Sequence, residues 1–227
     1  MINKSNGLKL SYYVIIQIMI GGIILAFTIG CFNNSKLNLP NNEKGVIMET
    51  NKRDTALFGL GCFWCGDAIF KELKGVDTVL SGYSGGVIKN PSYADICTGT
   101  TGHAEVIKLI YDPTIVSYKT LLEVFWQVHD PTTLNRQGND IGSQYRSAIF
   151  YYSESQKVEA EFYKNQLNKE NVFSKPIITE ITQVSEFYKA ENYHQDYYAN
   201  NNEQSYCRYV VRPKLDKFKK AFQTKLK

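Results

Sequence analysis

Short apolar runs, each cut off by glycine, by Asp-Pro or by a helix cap, set what residues 51–227 can build. Ala56-Leu57-Phe58-Gly59-Leu60 reads as a buried strand, and Gly59 and Gly61 permit a tight exit from it. A helix is expected from Cys62 to Leu73, with Ile69, Phe70 and Leu73 on its inner side and Gly75 as its stop. Val76–Tyr83 and Ala104–Tyr111 read as strands, separated by a loop over 90–101 rich in Thr, Gly and Pro. Ser117 caps a helix to His129 whose Leu121, Phe125 and Val128 form one stripe, and Asp130-Pro131 ends it. A polar loop over 132–144 leads to an apolar strand, Ser147–Tyr152. Ser153 and Gln156 fit a capping box for a helix to Lys169, and Pro176 opens a last strand through Val184. The order β-α-β-β-α-β predicts an α+β, two-layer sandwich with a ferredoxin-like core. Beyond Phe187 a long irregular segment, rich in Tyr and Asn, runs to a basic helix around 214–225.

The first 50 residues are of another kind. Lys4 and Lys9 precede an apolar stretch from Tyr12 to Cys31, interrupted by Gln17 and long enough to span a bilayer. Its end, Thr28-Ile29-Gly30-Cys31, resembles a bacterial lipoprotein processing site, although Thr28 stands where leucine is usual. Residues 1–31 are therefore expected to be a signal or membrane anchor, with Cys31 as the candidate lipidation site. Residues 32–50 are expected to be a flexible tether, and 51–227 a single catalytic body outside the cytoplasm, held to the cell envelope. With the two leader lysines set aside, the remaining charge is nearly balanced, which gives no reason to invoke nucleic acid. Nothing in the sequence demands more than a monomer.

Cys62, Cys65, Cys97 and Cys207 are too few to staple so large a body, so thiol chemistry is the better reading. Cys62 follows a glycine turn at the start of a helix, where unpaired amides and the helix dipole favour thiolate, the nucleophilic form. A free cysteine is more often a small buried hydrophobe. The setting argues otherwise: Phe63 and Trp64 supply an apolar wall, and Asp67 supplies an acid within about a turn.

The tetrapeptide Gly61-Cys62-Phe63-Trp64 resembles the signature of the A-type peptide methionine sulfoxide reductases. Similar to that family too are Ser81–Gly86, Cys97–Glu105, His129–Thr133, Arg136–Gly138, Gly142–Ser147, Ala190–Gln195 and Tyr206-Cys207, in the family's order over about 54–220. The resemblance implies that Cys62 attacks the sulfur of an S-epimer methionine sulfoxide, free or protein-bound, in a repair reaction. It implies Asp67 as general acid, one methylene shorter than the family's glutamate. It also implies Tyr83 and Tyr145 as hydrogen-bond donors to the departing oxygen, and Phe63 and Trp64 as the seat of the substrate methyl. Cys62 then becomes a sulfenic acid with which Cys207 condenses, and a thioredoxin-like external thiol reopens the disulfide. No metal or organic cofactor is implied. Asp130, on the loop leading to Tyr145, is expected to support the substrate site.

Other readings remain open on the residues alone. Cys62 and Cys65 form Cys-x-x-Cys, which suits a thiol–disulfide oxidoreductase and makes Cys65 the alternative resolving thiol. Zinc would require a second ligand pair, whereas His103, His129 and His194 stand singly. A catalytically silent lipoprotein that binds methionine would show binding without turnover.

Overall fold

The computed structural model describes residues 53–227; the expected leader with Cys31 and the tether lie outside the described residues. Among the described residues no helix is long and apolar enough to cross a membrane.

The short apolar runs become a six-stranded sheet. In chain order the strands are β1 (Asp54–Leu60), β2 (Val76–Ser84), β3 (Ala104–Tyr111), β6 (Ser147–Tyr151), β7 (Glu180–Gln183) and β8 (Phe187–Lys189), with a separate hairpin of β4 (Arg136–Gln137) and β5 (Asp140–Ile141). The order across the sheet is β7-β6-β1-β3-β2-β8. The central β6-β1-β3-β2 is antiparallel throughout, which is the expected ferredoxin-like arrangement. β7 extends it in parallel beside β6, and β8 extends it antiparallel beside β2. Alternation sorts each strand: Phe58, Ile107 and Ile149 face the main core, while Leu57, Val106 and Phe150 face a smaller cluster on the opposite side.

The helices that cover the main face are α1 (Phe63–Phe70), α3 (Tyr118–Val128) and α4 (Glu154–Lys169). Their inner residues, Ile69 and Phe70, Leu121 and Phe125, Tyr163 and Leu167, are buried in one continuous core. Ser117 and Ser153 cap their helices as expected, accepting from the amides of Thr120 and Gln156. The Gln156 side chain, however, reaches one residue further back and accepts from the Tyr152 amide at 3.0 Å.

Several elements differ from expectation. α1 stops at Phe70 rather than Leu73, and a turn carries the chain to Gly75, whose φ is +83°. The strand expected from Pro176 through Val184 is confined to β7, and β8 forms where irregular chain is expected. The loop over 90–101 contains a short helix, α2 (Tyr93–Cys97), closed by a reciprocal capping box between Ser92 and Asp95. The long C-terminal segment folds through 3-10 turns and a short helix, α5 (Tyr197–Asn200), into a π turn (Cys207–Val211) and α6 (Arg212–Ala221). It returns to α1: the Lys227 amide donates to the Glu72 carbonyl at 2.8 Å.

Candidate active site

The site begins at the β1–α1 junction. Gly61 turns the chain with φ +90°, and a Cβ there would lie 2.6 Å from the Gln137 side chain. Gln137 is buried and clamps the next loop: its amide oxygen accepts from the Asp130 N–H at 3.1 Å and its amide nitrogen donates to the Asp130 carbonyl at 3.0 Å. Cys62 follows as the N-cap of α1, only 7% exposed. On β3, Glu105 is 2% exposed, and its carboxyl accepts from the Phe63 amide at 3.1 Å. Burial pushes Glu105 up to about 8, against the pull of that amide. A protonated carboxyl is thus held at the first turn of the helix that carries the cysteine.

Aromatic rings wall this corner. Trp64 stacks on Tyr197 at 3.6 Å, and its indole N–H donates to His194 Nδ1 at 3.2 Å. Phe63 packs on Tyr83 at 5.9 Å and on His194 at 5.0 Å. Half-buried Tyr93 and Tyr145 both lie in the field of Cys62 and Glu105; burial, foremost, pushes both phenols up and keeps them as neutral donors. The Tyr206 hydroxyl donates to Asp140 Oδ2 at 2.7 Å and lies against Cys62. A small apolar group beside Cys62 would meet rings, and an oxygen on it would meet O–H donors.

Two thiols lie within this arrangement. Cys65 hydrogen-bonds to Cys62, and Lys214 Nζ from α6 is 3.8 Å from its sulfur. Burial pushes the Cys62 thiol up, while the hydrogen bond from Cys62, and then Lys214, draw Cys65 down. The N-terminal dipole of α1 therefore does not by itself make Cys62 the thiolate of the resting pair, contrary to expectation. Cys207 is fully buried at the start of the π turn, near Cys65. Cys97 is exposed at the end of α2. Among the described residues no group of three or more His, Cys, Asp or Glu is arranged to hold a metal ion.

Of the residues expected here, Cys62, Phe63, Trp64, Tyr145 and Cys65 come together. Three others do not serve as expected. Asp67 is buried, but five residues along a helix turn a side chain through about 140°; its carboxyl pairs with Lys71 Nζ at 2.6 Å, and Lys71 in turn reaches Asp196. Burial pushes Asp67 up to about 6, against Lys71, so it is an acid of the helix flank and not of the Cys62 corner. The Tyr83 hydroxyl is committed to Glu191 at 3.0 Å, and the second oxygen of Glu191 accepts from the Tyr93 amide at 2.7 Å. Asp130 is exposed and turns its own loop, accepting from the Thr132 N–H and hydroxyl at 2.9 and 2.6 Å.

Sequence reading gives no role at the site to Glu105, Tyr93, Asp140 or Tyr206, although Glu105 and Tyr206 lie in segments that resemble the family. Glu105 carries a signal, because a lone acid in a buried strand that is apolar but for Lys108 needs a reason to be there. Tyr93, Asp140 and Tyr206 lie in loops without periodicity, and only the fold brings them to the cysteine.

The family model described as peptide methionine sulfoxide reductase matches residues 54–226. A peptide methionine sulfoxide reductase MsrA from Chromobacterium violaceum is 50% identical over 169 residues, covering 74% of this chain and 96% of that protein. One from Saccharolobus solfataricus is 49% identical over 174 residues, covering 77% and 97%. The reduced form of Mxr1 from Saccharomyces cerevisiae superposes with a TM-score of 0.65 at 32% identity, covering 70% of this chain and 91% of that one. Methionine sulfoxide reductase A of Corynebacterium diphtheriae superposes with a TM-score of 0.62 at 34% identity, covering 73% and 85%.

Proposed function

The chain belongs to the peptide methionine sulfoxide reductase family, and on that premise we propose a division of labour for the residues around Cys62. The protein is a thiol-dependent oxidoreductase that reduces methionine sulfoxide to methionine. The observation that carries the residue assignment is the buried Glu105 carboxyl fixed on the Phe63 amide beside the cysteine.

Cys62 attacks the sulfoxide sulfur, and Glu105, in place of Asp67, gives its proton to the departing oxygen. Tyr93 and Tyr145, in place of the Tyr83 and Tyr145 pair, donate hydrogen bonds to that oxygen. Phe63 and Trp64 hold the methyl group, and Asp140 with Tyr206 closes the polar side. Methionine leaves, and Cys62 is a sulfenic acid. Cys65 condenses with it to a disulfide, releasing water, since Cys65 already hydrogen-bonds to Cys62 whereas Cys207 interacts with Cys65. Cys207 then serves as a second-stage thiol. A thioredoxin-like dithiol restores the enzyme, and no step calls for a metal or an organic cofactor.

At the scale of the cell, the lysine-flanked apolar stretch with Cys31 at its end supports an exported, lipid-anchored monomer that repairs envelope proteins. Incorporation of labelled fatty acid that disappears in Cys31→Ser tests the anchor; label retained in that variant would remove it.

The catalytic reading is tested with racemic blocked methionine sulfoxide and dithiothreitol. Conversion should stop at half of the substrate, leaving one epimer, and should vanish in Cys62→Ser. Conversion by Cys62→Ser at the wild-type rate would refute the assignment.

A further inference from the structure

The nucleophile sits in a place that disfavours its own charge. Cys62 is buried, its side chain accepts no capping hydrogen bond from the helix, and the adjacent Phe63 amide is taken by Glu105. A thiolate in this corner needs a cation from elsewhere in the fold. Among the described residues, Lys214 Nζ lies 3.8 Å from Cys65 Sγ, and Cys65 hydrogen-bonds to Cys62. Lys214 is placed by packing: Val211, Leu215 and Phe218 are buried on the inner face of the helix and set Lys214 on the flank toward α1. Other lysines of the same segment are used differently, Lys219 on Glu72 and Lys225 on Glu123, each at 2.9 Å. The Lys214 ammonium is instead turned onto a sulfur.

We propose that Lys214 is the positioning residue of the dithiol: its ammonium keeps the Cys62–Cys65 pair singly ionised at neutral pH. The charge rests on Cys65 until substrate arrives. The proposal rests on the reading that Cys62 is the nucleophile, and it adds the source of the nucleophile's charge. As the Cys62 sulfur forms its bond to the sulfoxide sulfur, its own S–H bond breaks and the proton passes to Cys65. Glu105 gives its separate proton to the sulfoxide oxygen. The sulfur–oxygen bond of the substrate then breaks as the hydroxyl transfers to Cys62. Two electrons have moved from Cys62 to the substrate sulfur, and the negative charge has moved from Cys65 to Glu105. The groups that face the pair are Glu105 from β3, Asp140 from β5, Tyr206, Cys207 from the π turn and Lys214 from α6. Lys214 is the cation among them, and Asp140 opposes it.

The test is the pH dependence of methionine release in a single turnover, without reductant, for the wild type, Lys214→Met and Lys214→Arg. Loss of a neighbouring charge moves a thiol by about one pH unit. Lys214→Met should therefore slow release about tenfold at neutral pH, with the deficit relative to the wild type narrowing as pH rises, while Lys214→Arg restores most of the rate. Thiolate ultraviolet absorbance of the substrate-free proteins should move in parallel, a readout that a merely structural role would not shift. Superimposable profiles for the wild type and Lys214→Met would overturn the proposal, and so would an equal loss at every pH. Cys62→Ser separates the two levels. If it stays active, the nucleophile assignment fails; if it is dead while Lys214→Met matches the wild type, only the role of Lys214 fails.

Discussion

A carboxyl held near pH 8 by burial remains an acid across the neutral range, and Glu105 is such a group. The rate of methionine release should therefore fall as pH rises past about 8, since the proton it donates is lost there. Glu105→Gln keeps an oxygen to accept from the Phe63 amide but has no proton to give, so release should slow by about a hundredfold to ten-thousandfold. Stability depends on pH through the same group. The folded value lies above the ordinary 4.5, so the contribution of protonated Glu105 is full below about 4.5 and is lost as pH rises toward about 8. At pH 8.5, as judged by urea melts, Glu105→Gln should be more stable than the wild type by on the order of 1–3 kcal/mol. At this scale the sequence was partly legible. Cys62, Phe63 and Trp64 are adjacent in the chain and could be found together. The acid could not, because nearness along the chain favoured Asp67, and helix geometry turns that residue onto Lys71.

Elements with a clear period were readable, and those too short to have one were not. β1, β2, β3 and β6 follow from short apolar runs bounded by turn residues, and α3 and α4 from their caps. α2 has five residues and the β4–β5 hairpin two per strand, so neither spans a repeat, yet they deliver Tyr93 and Asp140. The join between α3 and β6 depends on His129. Its Nδ1 is 2.7 Å from the Phe125 carbonyl, its Nε2 is 2.7 Å from the Ser147 hydroxyl, and that hydroxyl is 2.7 Å from Thr179. His129→Ala should cost about 2–4 kcal/mol in urea unfolding, through lost packing and a stranded hydroxyl pair. Burial lowers His129 to about 4, so its contribution is full above the ordinary 6.5 and is lost as pH falls toward about 4. The loss of stability between those values should be shallower in His129→Ala than in the wild type.

Across the whole molecule, the β-α-β-β-α-β order was enough to anticipate the sheet, because right-handed crossovers leave few other ways to close it. Of the C-terminal segment only the basic helix was legible, since the rest is set by contacts with distant parts of the chain. Gln195 mimics a strand neighbour, accepting from the Ser81 amide and donating to the Ser81 carbonyl, and the residues around Leu226 bridge to Leu73. This return seats Tyr206, Cys207 and Lys214 around the cysteine pair, with Phe218 sealing the helix beneath them. Phe218→Ala should destabilise the fold by about 3–5 kcal/mol, seen as a lower urea midpoint with an unchanged slope. The central claim is that the distant strand β3, and not the helix next to the cysteine, supplies the catalytic proton. The most direct measurement is methionine release in a single turnover at neutral pH by Glu105→Gln and Asp67→Asn, side by side. The prediction is that Glu105→Gln is slowed at least a hundredfold while Asp67→Asn stays within about threefold of the wild type. The reverse order, with Asp67→Asn crippled and Glu105→Gln near normal, would contradict it.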